Sequence, residues 1–88
     1  MRHLNIKIRG FVQGVFFRLT AKQQADRLSI TGFAMNMPDG SVYIEAEGEE
    51  VNLDKFLKIC HVGSTMTRVE NVEVFAGPLK NFKEFETY

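Results

Sequence analysis

The stretch from Gly10 to Arg18, which reads GFVQGVFFR, carries the residues of this chain that are best suited to chemistry. An alternating run precedes it and a helical run follows it, so Gly10 and Gly14 fall in a strand-to-helix connection and Arg18 in the first helical turn. Such a connection can turn several backbone N–H groups toward one point, and the helix start adds positive partial charge there. Because a guanidinium matches phosphate oxygens with a rigid fork, the stretch predicts a phosphoryl-anion pocket.

Each part of this stretch also has an ordinary structural interpretation. Surface arginines are common, so Arg18 taken alone is more often a solvated side chain than a ligand for an anion. Gly-rich connections often only make a turn, and a lone G-x-x-x-G pair is weak evidence for phosphate binding. The anion pocket is favoured by the combination of two glycines, a helix start and an arginine.

Asn36 is the second candidate, because it falls at the end of a strand just before the turn signal Pro38-Asp39-Gly40. Its carboxamide has both a donor and an acceptor, so it can position a water molecule without becoming charged. The alternative is an asparagine that only caps the turn, and the local sequence alone favours this alternative.

The other polar and nucleophilic residues form no recognisable catalytic pattern. His3, on the polar side of the first strand, and His61, just past the second helix, are predicted to be solvated. Cys60 is predicted to lie in the core, and this set of residues has no metal-ligand spacing. Glu45 and Glu47 share one face of a strand, which predicts a solvent-exposed face rather than an acid pair.

Hydrophobic periodicity predicts a β-α-β-β-α-β chain with a short last strand. Each predicted helix has one apolar stripe, so both should lie on one face of a mainly antiparallel sheet, the ferredoxin-like sandwich of the α+β class. The predicted strands cover residues 3–9, 32–37, 41–47, 67–75 and 82–88, and the predicted helices run from Phe17 to Leu28 and from Glu49 to Cys60.

Two positions depart from the regular pattern. Ser29 follows the first helix at a place where a left-handed glycine is most comfortable, so a positive φ there should cost about 1 kcal/mol. The change of parity between Val69 and Val72 predicts a bulge near Glu70-Asn71.

The composition limits the class of protein. The chain has 88 residues, of which 44% are hydrophobic and 25% are charged, which is typical of one soluble domain spanning residues 1–88. Basic and acidic residues balance to a formal net charge of zero, which argues against binding to nucleic acid or an anionic membrane. One cysteine permits no internal disulfide, and no apolar leader follows Met1. We therefore expect a cytoplasmic protein without a membrane span. The sequence does not determine the oligomeric state, for which a monomer is the default.

Two stretches of the sequence resemble the signatures of the acylphosphatase family. Gly10 to Arg18 resembles the first signature, G-x-V-Q-G-V-x-F-R. Gly32 to Gly48 resembles the second, an aromatic residue and an asparagine followed by a D-G-x-V hairpin. Two long motifs in register make the likeness specific, and it covers essentially the whole chain. A mild departure is Ser29, which stands where many relatives have glycine.

The resemblance implies a ferredoxin-like sandwich that hydrolyses the carboxyl–phosphate bond of small acyl phosphates. It implies that Arg18 binds the phosphate, that Asn36 orients the attacking water, and that backbone amides of a loop hold the phosphoryl oxygens. An acyl phosphate leaves as a carboxylate, a weak base, so the chemistry demands neither a general acid nor a metal or other cofactor. The loop that the resemblance implies consists of Gly10, Phe11, Val12, Gln13, Gly14, Val15, Phe16 and Phe17.

Two alternatives stay open at this point. The first is a non-catalytic phosphate-binding module, since domains of this kind occur inside larger carbamoyl-transfer proteins; the presence of Arg18 and Asn36 favours the enzyme. The second is an RNA-binding ferredoxin-like domain, which needs exposed aromatic side chains on the central strands and a basic surface. The mixed polar positions and zero net charge of this chain argue against the second.

Overall fold

The computed structural model describes residues 1–63 and 67–88, apart from the side chains of Val15 and Phe16. Within this part of the chain, two helices and five strands confirm the predicted order and the ferredoxin-like α+β class. The elements are β1 (Arg2–Phe11), α1 (Val15–Arg27), β2 (Thr31–Asn36), β3 (Val42–Gly48), α2 (Glu50–Val62), β4 (Arg68–Gly77) and β5 (Phe85–Thr87).

Several predicted boundaries are wrong. β1 runs through Gly10 to Phe11 instead of ending at Arg9, because Gly10 and Phe11 still pair with β4, and α1 begins at Val15 instead of Phe17.

The second helix and the last strand also differ from the prediction. His61 lies inside α2 rather than past it, because the helix ends only where Gly63 takes a φ of 71° and donates its N–H to Ile59 O at 2.8 Å. The last strand covers only Phe85–Thr87. The preceding residues 78–84 cross the sheet instead of pairing at its edge.

The strands form one mixed sheet in the order β4-β1-β3-β2-β5. Every neighbouring pair is antiparallel except β2 and β5, which are parallel. Since β1 and β2 both run antiparallel to the strand between them, β3, their C-terminal ends lie at the same edge of the sheet. This end of the sheet is called the loop edge below, and it differs from the two lateral edges formed by β4 and β5.

Both helices pack on the same face of the sheet, with α1 against β2 and β5 and α2 against β3 and β4. Their predicted apolar stripes are confirmed, and Cys60 lies in the core as predicted. Burial raises the pKa of the Cys60 thiol to about 12, so this group stays protonated at neutral pH. The buried core residues of the two helices are Phe17, Ala21, Ala25, Leu53, Phe56 and Cys60.

Both predicted irregularities are confirmed. Ser29 has a φ of 57°, and the N–H groups of Ser29 and Ile30 donate to the carbonyls of Asp26 and Ala25, which is a Schellman ending for α1. In β4 the register shifts where Arg9 pairs with Asn71 and Gly10 pairs with Val69, which leaves Glu70 as the bulged residue.

Residues 78–84, called the crossing segment below, cover the face of the sheet that carries no helix. Backbone N–H groups of Lys80 and Phe82 donate to the two carboxylate oxygens of Glu47, at 2.5 and 3.2 Å. Lys80 Nζ lies 2.8 Å from Glu45 Oε1. The ring of Phe82 stacks on His3 with centroids 5.9 Å apart. This segment therefore joins β4 at one edge of the sheet to β5 at the other.

The prediction that His3, Glu45 and Glu47 are solvated is wrong, since their exposures are 2%, 6% and 2%. The crossing segment buries them. His3 Nδ1 lies 2.7 Å from Glu47 Oε2, and His3 Nε2 lies 2.9 Å from the side-chain oxygen of Asn5 and 3.2 Å from Glu45 Oε1. Both ring nitrogens of His3 therefore face oxygen atoms of neighbouring side chains.

The carboxylate of Glu47 makes the stability of the fold depend on pH. Burial by itself raises the pKa of Glu47, but hydrogen bonds from Lys80, His3 and Phe82 outweigh it and hold this pKa below its ordinary value. A carboxylate with a lowered pKa stabilises the fold above its ordinary pKa of about 4.3 and loses this contribution as the pH falls. We therefore expect the free energy of unfolding to drop progressively in acid.

Replacing Glu47 by glutamine removes the titrating group and the negative charge that these donors share. We expect Glu47→Gln to lower the free energy of unfolding at neutral pH by about 1–3 kcal/mol. We also expect a flatter pH dependence below about pH 5. Urea unfolding at a series of pH values measures both effects. Glu84→Gln is the control, because Glu84 is an exposed carboxylate in the same crossing segment. An unchanged acid dependence in Glu47→Gln would contradict the assignment.

Candidate active site

The strand pairing puts the two candidate segments at the loop edge. Val42 of β3 pairs with Ile8 on one side and with Asn36 on the other, so these three residues form one row across the sheet. Residues paired in this way point to the same face, and the side chains of Ile8 and Val42 are buried in the core beneath the helices. Asn36 therefore lies on the same face as α1.

The approach to α1 depends on two glycines, of which Gly10 lies near the end of β1 and Gly14 directly precedes the helix. Gly10 has a φ of 134°, and a Cβ added there would lie 2.1 Å from the backbone oxygen of Arg68, so no other residue fits the bulge. Gly14 has a φ of 133° and precedes α1 without providing a side-chain cap. Between them Val12 is fully buried and anchors the loop in the core, whereas Phe11 is 76% exposed.

The free N–H groups at the start of α1 have neither a side-chain acceptor nor a nearby negative charge from the first turn. No side chain caps this end, and the first turn contains no acidic residue. The first N–H groups of a helix have no intrahelical acceptor, and together they carry positive partial charge. The loop and the first turn can therefore hold an anion with backbone donors.

A bond to the main chain positions the guanidinium of Arg18. Arg18 Nη1 donates to the backbone oxygen of Tyr88, and the N–H of Tyr88 donates to Ala34 O at 2.9 Å. Ala34 lies two residues before Asn36 on β2. One turn further along α1, Lys22 Nζ donates to Phe85 O at 2.9 Å, which also holds β5 against the helix. The half-buried head of Arg18 therefore lies beside the end of β2.

The turn after Asn36 is held by other groups. Backbone bonds join Met37 N to Ser41 O at 2.8 Å and Gly40 N to Met37 O at 3.1 Å. The Asp39 carboxylate accepts from the Ser41 hydroxyl and N–H and pairs with Lys7 at 2.9 Å, which lowers the pKa of Asp39. The Asn36 side-chain oxygen has no partner in this network, so the structure does not support Asn36 as a turn cap.

Arg18 and Asn36 share an unusual property. Within residues 1–63 and 67–88, Arg18 Nε and Asn36 Oδ1 are buried side-chain atoms without a hydrogen-bond partner. Buried polar groups are normally hydrogen-bonded, and a site that leaves both a donor and an acceptor unpaired is suited to bind polar groups of both kinds. A phosphoryl oxygen fits the donor, and a water molecule fits the acceptor.

The structure therefore places the loop, the first turn of α1 with Arg18 and the end of β2 with Asn36 at the loop edge. The Phe17 side chain is in the core, so this residue can offer only its backbone to an anion. The side chains of Val15 and Phe16 lie outside the described part of the chain. A cavity of about 360 Å³ adjoins the loop and is lined by Gly10, Phe11, Val12, Gln13 and Gly40. A second cavity, of about 370 Å³ between α1 and α2, shares none of these residues.

One feature of the site escaped the sequence reasoning. The resemblance gives Gln13 a role only through its backbone amide. In the structure its side chain also donates to the carbonyls of Met37 and Ser41. Both partners are backbone atoms of a distant turn, so no residue type near Gln13 signals the contact.

Two further properties of the described residues bear on other functions. No helix described here has the length and apolar character that a membrane crossing requires. No group of three or more histidine, cysteine, aspartate or glutamate side chains in residues 1–63 and 67–88 is arranged to hold a metal ion.

Known proteins share both the sequence and the fold. The family described as Acylphosphatase matches residues 4–87. An acylphosphatase of Archaeoglobus fulgidus is 45% identical over 83 residues, which covers 94% of this chain and 93% of that protein. The crystal structure of acylphosphatase from Bacillus subtilis has a TM-score of 0.96 at 32% identity and covers 100% of this chain and 99% of that chain.

A larger protein contains a similar unit. Full-length HypF in its phosphate- and nucleotide-bound form matches with a TM-score of 0.88 at 26% identity, over 99% of this chain but 12% of that chain. The relatives of comparable length, however, are the acylphosphatases, and the family match spans nearly every residue. The chain therefore belongs to the acylphosphatase family.

Proposed function

We propose that the loop from Gly10 to Phe17, Arg18 and Asn36 form the site at which this chain hydrolyses small acyl phosphates to a carboxylate and inorganic phosphate. The observation that carries this proposal is the pair of unpartnered buried atoms, Arg18 Nε and Asn36 Oδ1. The first is a donor for an anion and the second an acceptor for water, which are the two reactants of a hydrolysis.

In this proposal the backbone N–H groups of the loop and the first turn of α1 hold the phosphoryl oxygens. The guanidinium of Arg18 donates to the same group, and its hydrogen bond to Tyr88 O limits its movement. Fixed donors of this kind stabilise charge on the equatorial oxygens of the transition state without reorganising during the reaction.

Asn36 orients the nucleophile. Its Oδ1 accepts a hydrogen bond from the water, so that an oxygen lone pair faces phosphorus opposite the leaving carboxylate. The water oxygen forms a bond to phosphorus, and the bond from phosphorus to the acyl oxygen breaks with its electron pair on the carboxylate. The proton of the water passes to a phosphoryl oxygen. His3, Glu45 and Glu47 lie on the other face of the sheet, so none of them is the base.

We further propose a monomer of one domain that acts in the cytoplasm on small acyl phosphates. The zero net charge and the single cysteine, which is buried, support this setting. The crossing segment covers the helix-free face, on which an RNA-binding domain of this class would need exposed aromatic rings.

A phosphate-binding module without turnover is the second candidate, and the match to part of HypF is the observation in its favour. Phosphate release from benzoyl phosphate in the presence of EDTA separates the two functions. We expect turnover by the wild-type protein, with inorganic phosphate as a competitive inhibitor. Binding of inorganic phosphate without any hydrolysis would instead establish the module. The absence of both phosphate binding and hydrolysis would refute the site itself.

A further inference from the structure

The side chain of Gln13 connects two segments whose relative position must stay fixed during the proposed reaction. Gln13 Nε2 lies 2.6 Å from Met37 O and 3.1 Å from Ser41 O. Gln13 belongs to the loop that offers backbone donors to the anion. Met37 directly follows Asn36, whose side chain faces the water in the proposed mechanism.

The chemistry of these contacts determines the orientation of the amide. Both partners are carbonyl oxygens, so only the NH2 end of the carboxamide can face them, and its two N–H groups match two acceptors. Glutamate, which has the same shape but only acceptor oxygens when ionised, would face both carbonyls with negative charge. The contact therefore depends on the amide itself and not only on the size of the side chain.

The turn does not need Gln13 for its own shape. Met37 and Ser41 are already joined by a backbone hydrogen bond of 2.8 Å, and the Asp39 carboxylate binds Ser41. What Gln13 adds is a link between this turn and the loop. Without it the turn would keep its internal bonds but would be free to shift relative to a phosphoryl group bound in the loop.

We propose that Gln13 is a positioning residue, whose side-chain amide holds the β2–β3 turn against the loop and thereby directs the Asn36 carboxamide at the bound phosphoryl group. This inference rests on the proposed function, because it acts through the water that Asn36 orients. A displacement of about 1 Å at a reacting centre can cost a factor of about 10² in rate, so a link of this kind has a measurable effect.

A double-mutant cycle of Gln13→Met and Asn36→Ala tests the proposal with benzoyl phosphate as substrate. In the wild-type background we expect Gln13→Met to lower kcat by about tenfold, with KM and the inhibition constant of inorganic phosphate changed less than about threefold. In the Asn36→Ala background the same substitution should lower kcat by less than about twofold, because the group that it positions is gone.

Gln23→Met is the matched control, since Gln23 is an exposed glutamine of α1 outside the site, and we expect wild-type kinetics from it. Urea unfolding checks that each variant is folded. Gln13→Glu is the second variant: it keeps the shape but loses both donors, and the same dependence on Asn36 is expected if Gln13→Met does not fold.

Two outcomes would overturn the inference. An equal loss of kcat in both backgrounds would show that Gln13 only maintains the loop, and a raised KM with unchanged kcat would show that it contacts the substrate instead. The proposed function fails in a different way, namely when the wild-type protein does not hydrolyse benzoyl phosphate or when Asn36→Ala leaves kcat unchanged.

Discussion

Arg18→Ala is expected to lower kcat/KM for benzoyl phosphate by about 10³-fold, through a higher KM and a lower kcat together. Arg18 is the cation whose Nε is buried and unpaired at the loop edge, and in the proposed mechanism it binds the phosphoryl group in the ground state and in the transition state. Steady-state kinetics and inhibition by inorganic phosphate measure the two effects separately. KM and the inhibition constant of inorganic phosphate should both rise.

Arg27→Ala is the control for this substitution, since Arg27 is an exposed arginine in the last turn of the same helix. We expect it to retain wild-type activity. Arg18→Lys should recover only part of the loss, because an ammonium supplies charge without the planar fork. If Arg18→Ala keeps its kcat/KM within about tenfold while folded, the bound phosphoryl group does not depend on this side chain as proposed.

Asn36→Ala is expected to lower kcat by about 10²–10³-fold, while KM and the inhibition constant of inorganic phosphate change less than about threefold. The reason is that Asn36 Oδ1 has no partner in the protein and is free to accept from water, whereas in the proposed mechanism the loop and Arg18 hold the anion. The water contributes little to substrate binding, but its direction decides how often the complex reacts. Single-turnover rates at saturating substrate measure this effect directly.

Asn52→Ala provides the comparison. Asn52 lies near the start of α2, which begins at the end of the sheet opposite the loop edge and therefore away from the proposed site. We expect it to match the wild-type protein in every kinetic constant. A large rise in KM for Asn36→Ala with an almost unchanged kcat would assign Asn36 to substrate binding and would exclude the role in orienting water.

Arg18 and Asn36 differ in how much of their environment is local. The motif around Arg18 predicts a helix start with glycines before it, and these features follow from neighbouring residues. The bond that positions its guanidinium, however, comes from Tyr88, which is 70 residues away. For Asn36, the local sequence favours a turn cap, and the tertiary structure shows that Asp39 and the backbone hold the turn instead.

Strand and helix order, the positive φ of Ser29 and the bulge at Glu70 could all be predicted, because each depends on a periodicity or a preference within a few residues. The resemblance to a family added the roles of the site residues, and these roles stay predictions until they are measured. The prediction of a solvent-exposed polar side for β3 is wrong, because the alternation of Glu45 and Glu47 is the same whether water or another segment of the chain lies over them.

The amino-acid order was sufficient for the element sequence, the α+β class and the two segments that carry the candidate chemistry. Only the folded chain decided which polar groups are paired: the buried cluster of His3, Glu45 and Glu47 and the link from Gln13 to the β2–β3 turn are both of this kind. The physical reason is that periodicity reports which face a residue is on, whereas hydrogen-bond partners come from parts of the chain that meet only when the sheet and its crossing segment have formed.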